Sequence, residues 1–400
     1  IKGGIKEADY IQVMSQVNVK RKKQMFILCY VPFMIALFLE DMAFKTGNIA
    51  PIVKAIKAAV VVLLVLSVVG KSWKKKGFAW VVFGVLCGAL TLLLTGDFFW
   101  FIVILIAEVF CDVDEKVIYN VSMQTIVGMT SLTLVLCALG ILSDCLTYRT
   151  DFSTEARHSL GFVHSACLPL IVFYMMTYCI STNRNMKKIG VLSLIGIVLY
   201  SICKSRNAVV ITVGLSMLAL LLRDKRIKNK IKKPLNWVSS WIVFVCIVFS
   251  ILPGYLRYKG ILLNYWYAFD QIFTNRSMLA ASAFQSYGIP IVNTMNYNAY
   301  TNTPVYIDGY MNNGVVLDSA YMYMVVRYGI AMLLFLWMVL HAYQKKPNIS
   351  MMEKAAFIAV VVANTIDNDL LSYECLPFII IGIRNLPKIK CKLRIGKERN

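Results

Sequence analysis

The chain has 400 residues, 58% of them apolar and only 16% charged, with a mean hydropathy of +0.65. A water-soluble globule carries about 25% charged residues, so the composition excludes a soluble fold and points to lipid as the solvent. The formal charge of +21 sits in short Lys and Arg clusters between apolar runs, the pattern of loops on the positive side of a membrane and not of a nucleic-acid-binding face.

A helix needs about 20 apolar residues to cross a bilayer. Apolar runs at 25–39, 52–70, 77–95, 98–111, 121–143, 162–181, 189–203, 207–222, 235–252, 320–341, 354–366 and 376–383 predict an all-α integral membrane fold of about twelve transmembrane helices. The chain reads as a single polytopic membrane domain over 1–400, with a cytoplasmic amino-terminal segment at 1–24 and a basic cytoplasmic tail at 384–400. The stretch 20–23 leads into a run not followed by a small-residue cleavage site, which argues against a cleavable signal peptide.

Basic clusters fall before the first run, after the second, sixth, eighth and tenth, and in the tail. With twelve crossings those loops share one side, and both termini are cytoplasmic. Two segments on the other side are long: 144–161 and a Tyr- and Asn-rich cap loop at 253–318 between the ninth and tenth runs. Loops of that length are usually functional or disordered. No internal repeat of the kind common in secondary transporters is visible.

Of the 11 Cys, none forms a CxxC pair, and the three His have no metal-ligand spacing, so neither a disulfide framework, a metal nor another cofactor is expected. Asp112 and Asp114 have the spacing of a metal–nucleotide-sugar motif, but on the cytoplasmic side and without a nucleotide-binding domain. Glu40 and Asp41, after the first run, form a minor alternative acidic site.

Four places carry candidate chemistry. A helix over 269–287 is amphipathic and sets Arg276 near the middle of its apolar face; the guanidinium either snorkels to headgroups or binds an anion. Lys204 and Arg206 open the eighth run, where free amides, the helix dipole and a planar guanidinium suit phosphate. Arg157 precedes the sixth run, and His164 is either a packing histidine or part of the same site. Asp318 stands before the tenth run as a helix-capping carboxylate or a general base. Arg327 lies deeper, paired with Glu108 or Asp367.

RHSLGFVHS (157–165), KSRNAVV (204–210), NRSMLAASAF (275–284) and LDSAYMYMVVRYG (317–329) together resemble elements of the Wzy-type polysaccharide polymerases, relatives of the O-antigen ligases. The resemblance spans roughly 143–329, with Asn275 in place of the family's usual Gly, Ser319 in place of its usual Asn, and an unusual Arg327. It implies a metal-independent membrane glycosyltransferase of GT-C-like architecture in the bacterial plasma membrane. Its substrates would be undecaprenyl-pyrophosphate-linked oligosaccharides, joined at the outer face into a surface polysaccharide, with membrane lipids, a chain-length regulator and a flippase as partners. Asp318, Arg206 and Arg276 would be catalytic, and Arg157, Lys204, Arg206, Arg276 and His164 would bind pyrophosphate and sugar. An O-antigen-type ligase and a lipid-linked-sugar transporter are the rival readings.

Overall fold

The computed structural model describes the backbone of all residues except 1, 46–48, 69–77, 149–155, 183–185, 262–264, 267–268, 271–275, 293–299, 308–309, 315–316, 318, 368–370 and 396–400, and the side chains of fewer. Among the described residues there are fourteen helices: α1 (Lys2–Glu40), α2 (Ala50–Val68), α3 (Phe78–Thr95), α4 (Phe99–Val109), α5 (Glu115–Ala138), α6 (Cys167–Ser181), α7 (Met186–Cys203), α8 (Arg206–Leu221), α9 (Lys225–Tyr258), α10 (Arg276–Tyr287), α11 (Ala320–Tyr328), α12 (Ile330–Gln344), α13 (Met351–Ile366) and α14 (Leu376–Ile395). Two small antiparallel ribbons join them, β1 (Thr147–Tyr148) with β2 (Ala156–Arg157), and β3 (Tyr300–Ile307) with β4 (Tyr310–Gly314).

The apolar pattern explains which helices are central. In α1, Phe26, Cys29, Tyr30, Phe33, Met34, Leu37 and Phe38 are buried, the three-and-four spacing of one helix face. The 11-residue α4 is buried along nearly its whole length. At 1.5 Å per residue it spans about 16 Å, well short of a bilayer core, and it sits inside the bundle. The outer helices instead show their apolar residues: Leu86, Leu93, Leu194, Val198, Val210, Met217, Trp241 and Phe244 are all exposed. An apolar surface of that extent is unfavourable in water and favourable in lipid. Among the described residues, five stretches, Lys20–Glu40, Ala50–Ser67, Glu115–Ala138, Met186–Cys203 and Lys225–Tyr258, are long and apolar enough to cross a membrane. The chain is an α-helical membrane protein.

The two ends of the bundle differ. At one, Lys346 Nζ reaches Glu115 at 2.6 Å and Glu353 at 2.5 Å, while Tyr343 Oη lies 2.6 Å from Tyr119 Oη and donates to Glu353 at 2.9 Å. Lys22 pairs with Asp112 at 2.8 Å, Asp114 caps α5 by accepting from the Lys116 amide, and Arg384 donates to the carbonyls of Cys111 and Val113. The acidic pair Asp112 and Asp114 therefore has structural partners. The other end is rich in loops: isolated bridges pair Met42 with Phe162 and Phe44 with Leu142.

Two helices depart from the sequence expectation. The basic stretch 223–233 is not a free loop: Asp224 accepts from the Arg226 amide at 2.7 Å and starts α9 there. The apolar run at 320–341 is not one helix. It breaks at Gly329, whose φ of +85° is left-handed and where a Cβ would lie 2.5 Å from the Ile291 carbonyl oxygen. Only glycine admits both the conformation and the close approach.

Candidate functional site

The loop-rich end is organised by Asp144. One carboxylate oxygen lies 2.5 Å from His158 Nδ1; the other accepts the amides of Ser159 and Leu160 at 2.8 and 2.9 Å. Burial opposes charge on this group, but the His158 hydrogen bond and the Leu160 and Ser159 amides outweigh it and hold the carboxyl below its usual range. Gly161, at φ +91°, packs where a Cβ would meet Cys137 Cβ at 2.9 Å, so the loop lies directly on α5. Backbone bonds from Val163 to Asp41 and from Ala43 to Gly161, both 2.9 Å, tie the same loop to the end of α1.

The His158 amide donates to the Ile202 carbonyl at 3.4 Å, which brings the strand carrying Arg157 against the end of α7. There Lys204 adopts φ +52° and its amide donates to Tyr200, closing α7 in the left-handed cap that glycine usually occupies. A lysine there costs about 1–2 kcal/mol, a strain of the kind that gathers at functional turns. Arg206 follows as the exposed first residue of α8. The sequence elements carrying Arg157, Lys204 and Arg206 therefore meet. His164 is exposed and its Nδ1 accepts the Ala166 amide at 3.2 Å, a local turn just before α6.

Arg276 begins α10, which packs closely on α9: a Cβ at Gly254 would lie 2.3 Å from Ala280 Cβ. The start of α10 is clamped by Asp270, which accepts the Ser277 amide at 3.1 Å and pairs with the buried Arg257. Arg257 also donates to Ser277 Oγ at 3.0 Å. Arg276 lines a small, mainly apolar cavity with Phe249, Phe269, Leu317, Ser319 and Met322. Asp318 lies outside the described residues.

A second cavity, of about 710 Å³, opens at the same end between α1, α2, the α3–α4 turn and α11. Asp97 is its hub. It accepts from Arg327 Nη2 at 3.0 Å and from Tyr328 Oη at 2.5 Å, and it caps α4 through the Phe99 amide at 2.9 Å. Burial opposes its charge; Arg327, Tyr328, Phe99 and Lys57 outweigh this and hold the carboxyl below its usual range. Among the described residues the carboxylate paired with Arg327 is Asp97, 230 residues away. Glu108 stands at the opposite end of α4. Because the helix breaks at Gly329, Arg327 lies at the loop-rich end and not deep in a continuous span.

Beside this cavity, Asp41 and Glu374 form a pair that the sequence does not single out together. Burial pushes the Asp41 carboxyl well up, with the charges of Glu374 and Glu40 adding to it, and burial likewise raises Glu374. No protein-family model, curated protein or solved structure matches the chain.

Proposed function

We propose that the chain is a twelve-crossing, GT-C-like membrane glycosyltransferase that polymerises oligosaccharide repeat units carried on undecaprenyl pyrophosphate at the outer face of a bacterial plasma membrane. In this reading both termini are cytoplasmic, and a flippase and a chain-length regulator work beside it. The observation that carries the reading is the meeting of RHSLGF (157–162) with KSRN (204–207) through the His158–Ile202 bond. Those elements carry the resemblance to the Wzy-type polymerases, and they gather three cations at the end of the bundle opposite the basic start of α9. Arg276 lies at the start of α10, in the segment that follows α9 on that side.

The reaction forms a glycosidic bond between an acceptor hydroxyl and the donor's anomeric carbon, and it breaks the bond from that carbon to pyrophosphate. Charge develops on the departing pyrophosphate. Arg157, Lys204, Arg206 and Arg276 supply fixed positive charge and donors for it. The acceptor proton passes to a carboxylate base, for which Asp318 is the candidate. His164 is the weaker one, because its Nδ1 is taken up by the Ala166 amide.

Deletion of the gene in its host tests the reading. Loss of a polymerase leaves single lipid-linked repeat units exposed outside, where impermeant periodate oxidises them. Loss of a transporter leaves them inside and protected. Long polymer persisting in the deletion strain refutes both.

A further inference from the structure

The cavity around Asp97 has no part in the chemistry above, yet its lining is costly to build. Lys54 and Lys57 lie about one turn apart in the amino-terminal half of α2, on one side of the cavity. Lys57 is 7% exposed and is held by Glu40 at 2.8 Å. Arg327 is turned to the cavity between the rings of Tyr323 and Tyr328, with centroids 5.5 and 5.6 Å away, and keeps 29% of its side-chain surface open. Lys54 is exposed and, among the described residues, has no carboxylate within ion-pair distance.

Among the described residues that line the cavity, three cations, Lys54, Lys57 and Arg327, stand with two carboxylates, Glu40 and Asp97. A structural ion pair needs neither a third cation nor an open volume. The volume of about 710 Å³ falls in the range of small-molecule sites, about 300–1,000 Å³. Two tyrosines and two carboxylates add the hydroxyl and acceptor groups that orient a polyhydroxylated ligand.

We propose that this cavity is a binding site for an oxyanion, phosphate or carboxylate, carried on a ligand of sugar size or on a lipid headgroup. Lys54 is the mobile contact and Arg327 the oriented one. Asp97 competes with the ligand for the Arg327 guanidinium and so sets the affinity. The inference does not depend on the polymerase reading.

The test uses the purified full chain in phosphatidylcholine nanodiscs, with glucose 1-phosphate, glucuronate and neutral glucose as probes in calorimetric titration. Either anionic probe should bind and glucose should not. Nanodiscs doped with phosphatidylglycerol separate the sources: a lipid-headgroup site binds soluble anions less well there, and a sugar-borne site is unchanged. Lys54→Glu, at an exposed position, should weaken anion binding by about tenfold. Asp97→Asn should strengthen it by releasing Arg327, a direction that a purely structural salt bridge does not produce. Absence of anion binding in every arm, or affinity unmoved by Lys54→Glu in a folded chain, overturns the proposal. Binding is read without turnover, so failure here leaves the polymerase reading standing, and failure of that reading leaves this one.

Discussion

Asp144 and His158 hold each other at 2.5 Å, and through that contact one carboxylate shapes the whole turn from Arg157 to Phe162. Asp144→Ala should leave the helices intact and release the turn. Hydrogen exchange at the Ser159 and Leu160 amides should then rise towards that of unprotected loops. The Asp144 carboxyl is depressed in the folded chain, so the stability it lends is present above the unfolded value of about 3.9 and is lost as pH falls through the folded value. Protection at this turn, taken relative to the intrinsic exchange rate at each pH, should therefore fall selectively in the parent chain below about pH 4. Equal exchange in parent and variant removes Asp144 from the organising role.

Gly161→Ala forces a Cβ into a left-handed residue, 2.9 Å from Cys137 Cβ. Overpacking of this kind costs about 1–3 kcal/mol. The thermal midpoint in detergent should drop, and Cys137→Gly on the same chain should restore part of it, because it removes the atom in the way. A second substitution without effect assigns the cost to backbone conformation alone.

Asp41 and Glu374 predict an inverted pH response. Both carboxyls are raised in the folded chain. The folded chain therefore keeps protons that the unfolded one loses above about pH 4, and stability falls as pH rises from there. Asp41→Asn removes much of that slope. Its thermal midpoint should exceed the parent's at pH 8, by about 1 °C for each kcal/mol, and differ less at pH 5. A variant less stable than the parent at pH 8 contradicts the buried pair.

Arg206 and Arg276 should both fail as lysines. The substitution keeps the charge and removes the planar two-pronged donor. Losing one donor to a developing oxyanion costs about a hundredfold in rate, so polymer length on gels should collapse at equal expression. Activity of the purified chain should survive EDTA. Normal polymer from both lysine variants, or magnesium-rescued loss in EDTA, rejects the proposed leaving-group chemistry.

Much of the helical framework is legible in the linear pattern, because a run of apolar residues is a local property. Helix boundaries can lie close to those of the run: the apolar stretch at 189–203 becomes α7, Met186–Cys203. What is not legible is long-range. Asp97 and Arg327 stand 230 positions apart, and nothing near either one names its partner. The break at Gly329 is hidden because apolar residues continue on both sides, and its cause, the Ile291 backbone, lies in a distant segment. Arg157 and Lys204 are visible as cations outside the expected basic loops, whereas Asp144 looks like any loop acid until its three donors are seen together.

The nine-residue α11 separates two chambers and belongs to both. Ser319 and Met322, at its start, line the one that holds Arg276; Tyr323, Arg327 and Tyr328 line the one around Asp97. It is a party wall, hung from a single glycine. One residue inserted into it would turn everything beyond by about 100°, swinging Arg327 off Asp97 while leaving composition and hydropathy almost untouched. The division of this end of the protein into two rooms is thus written in the length of one short helix.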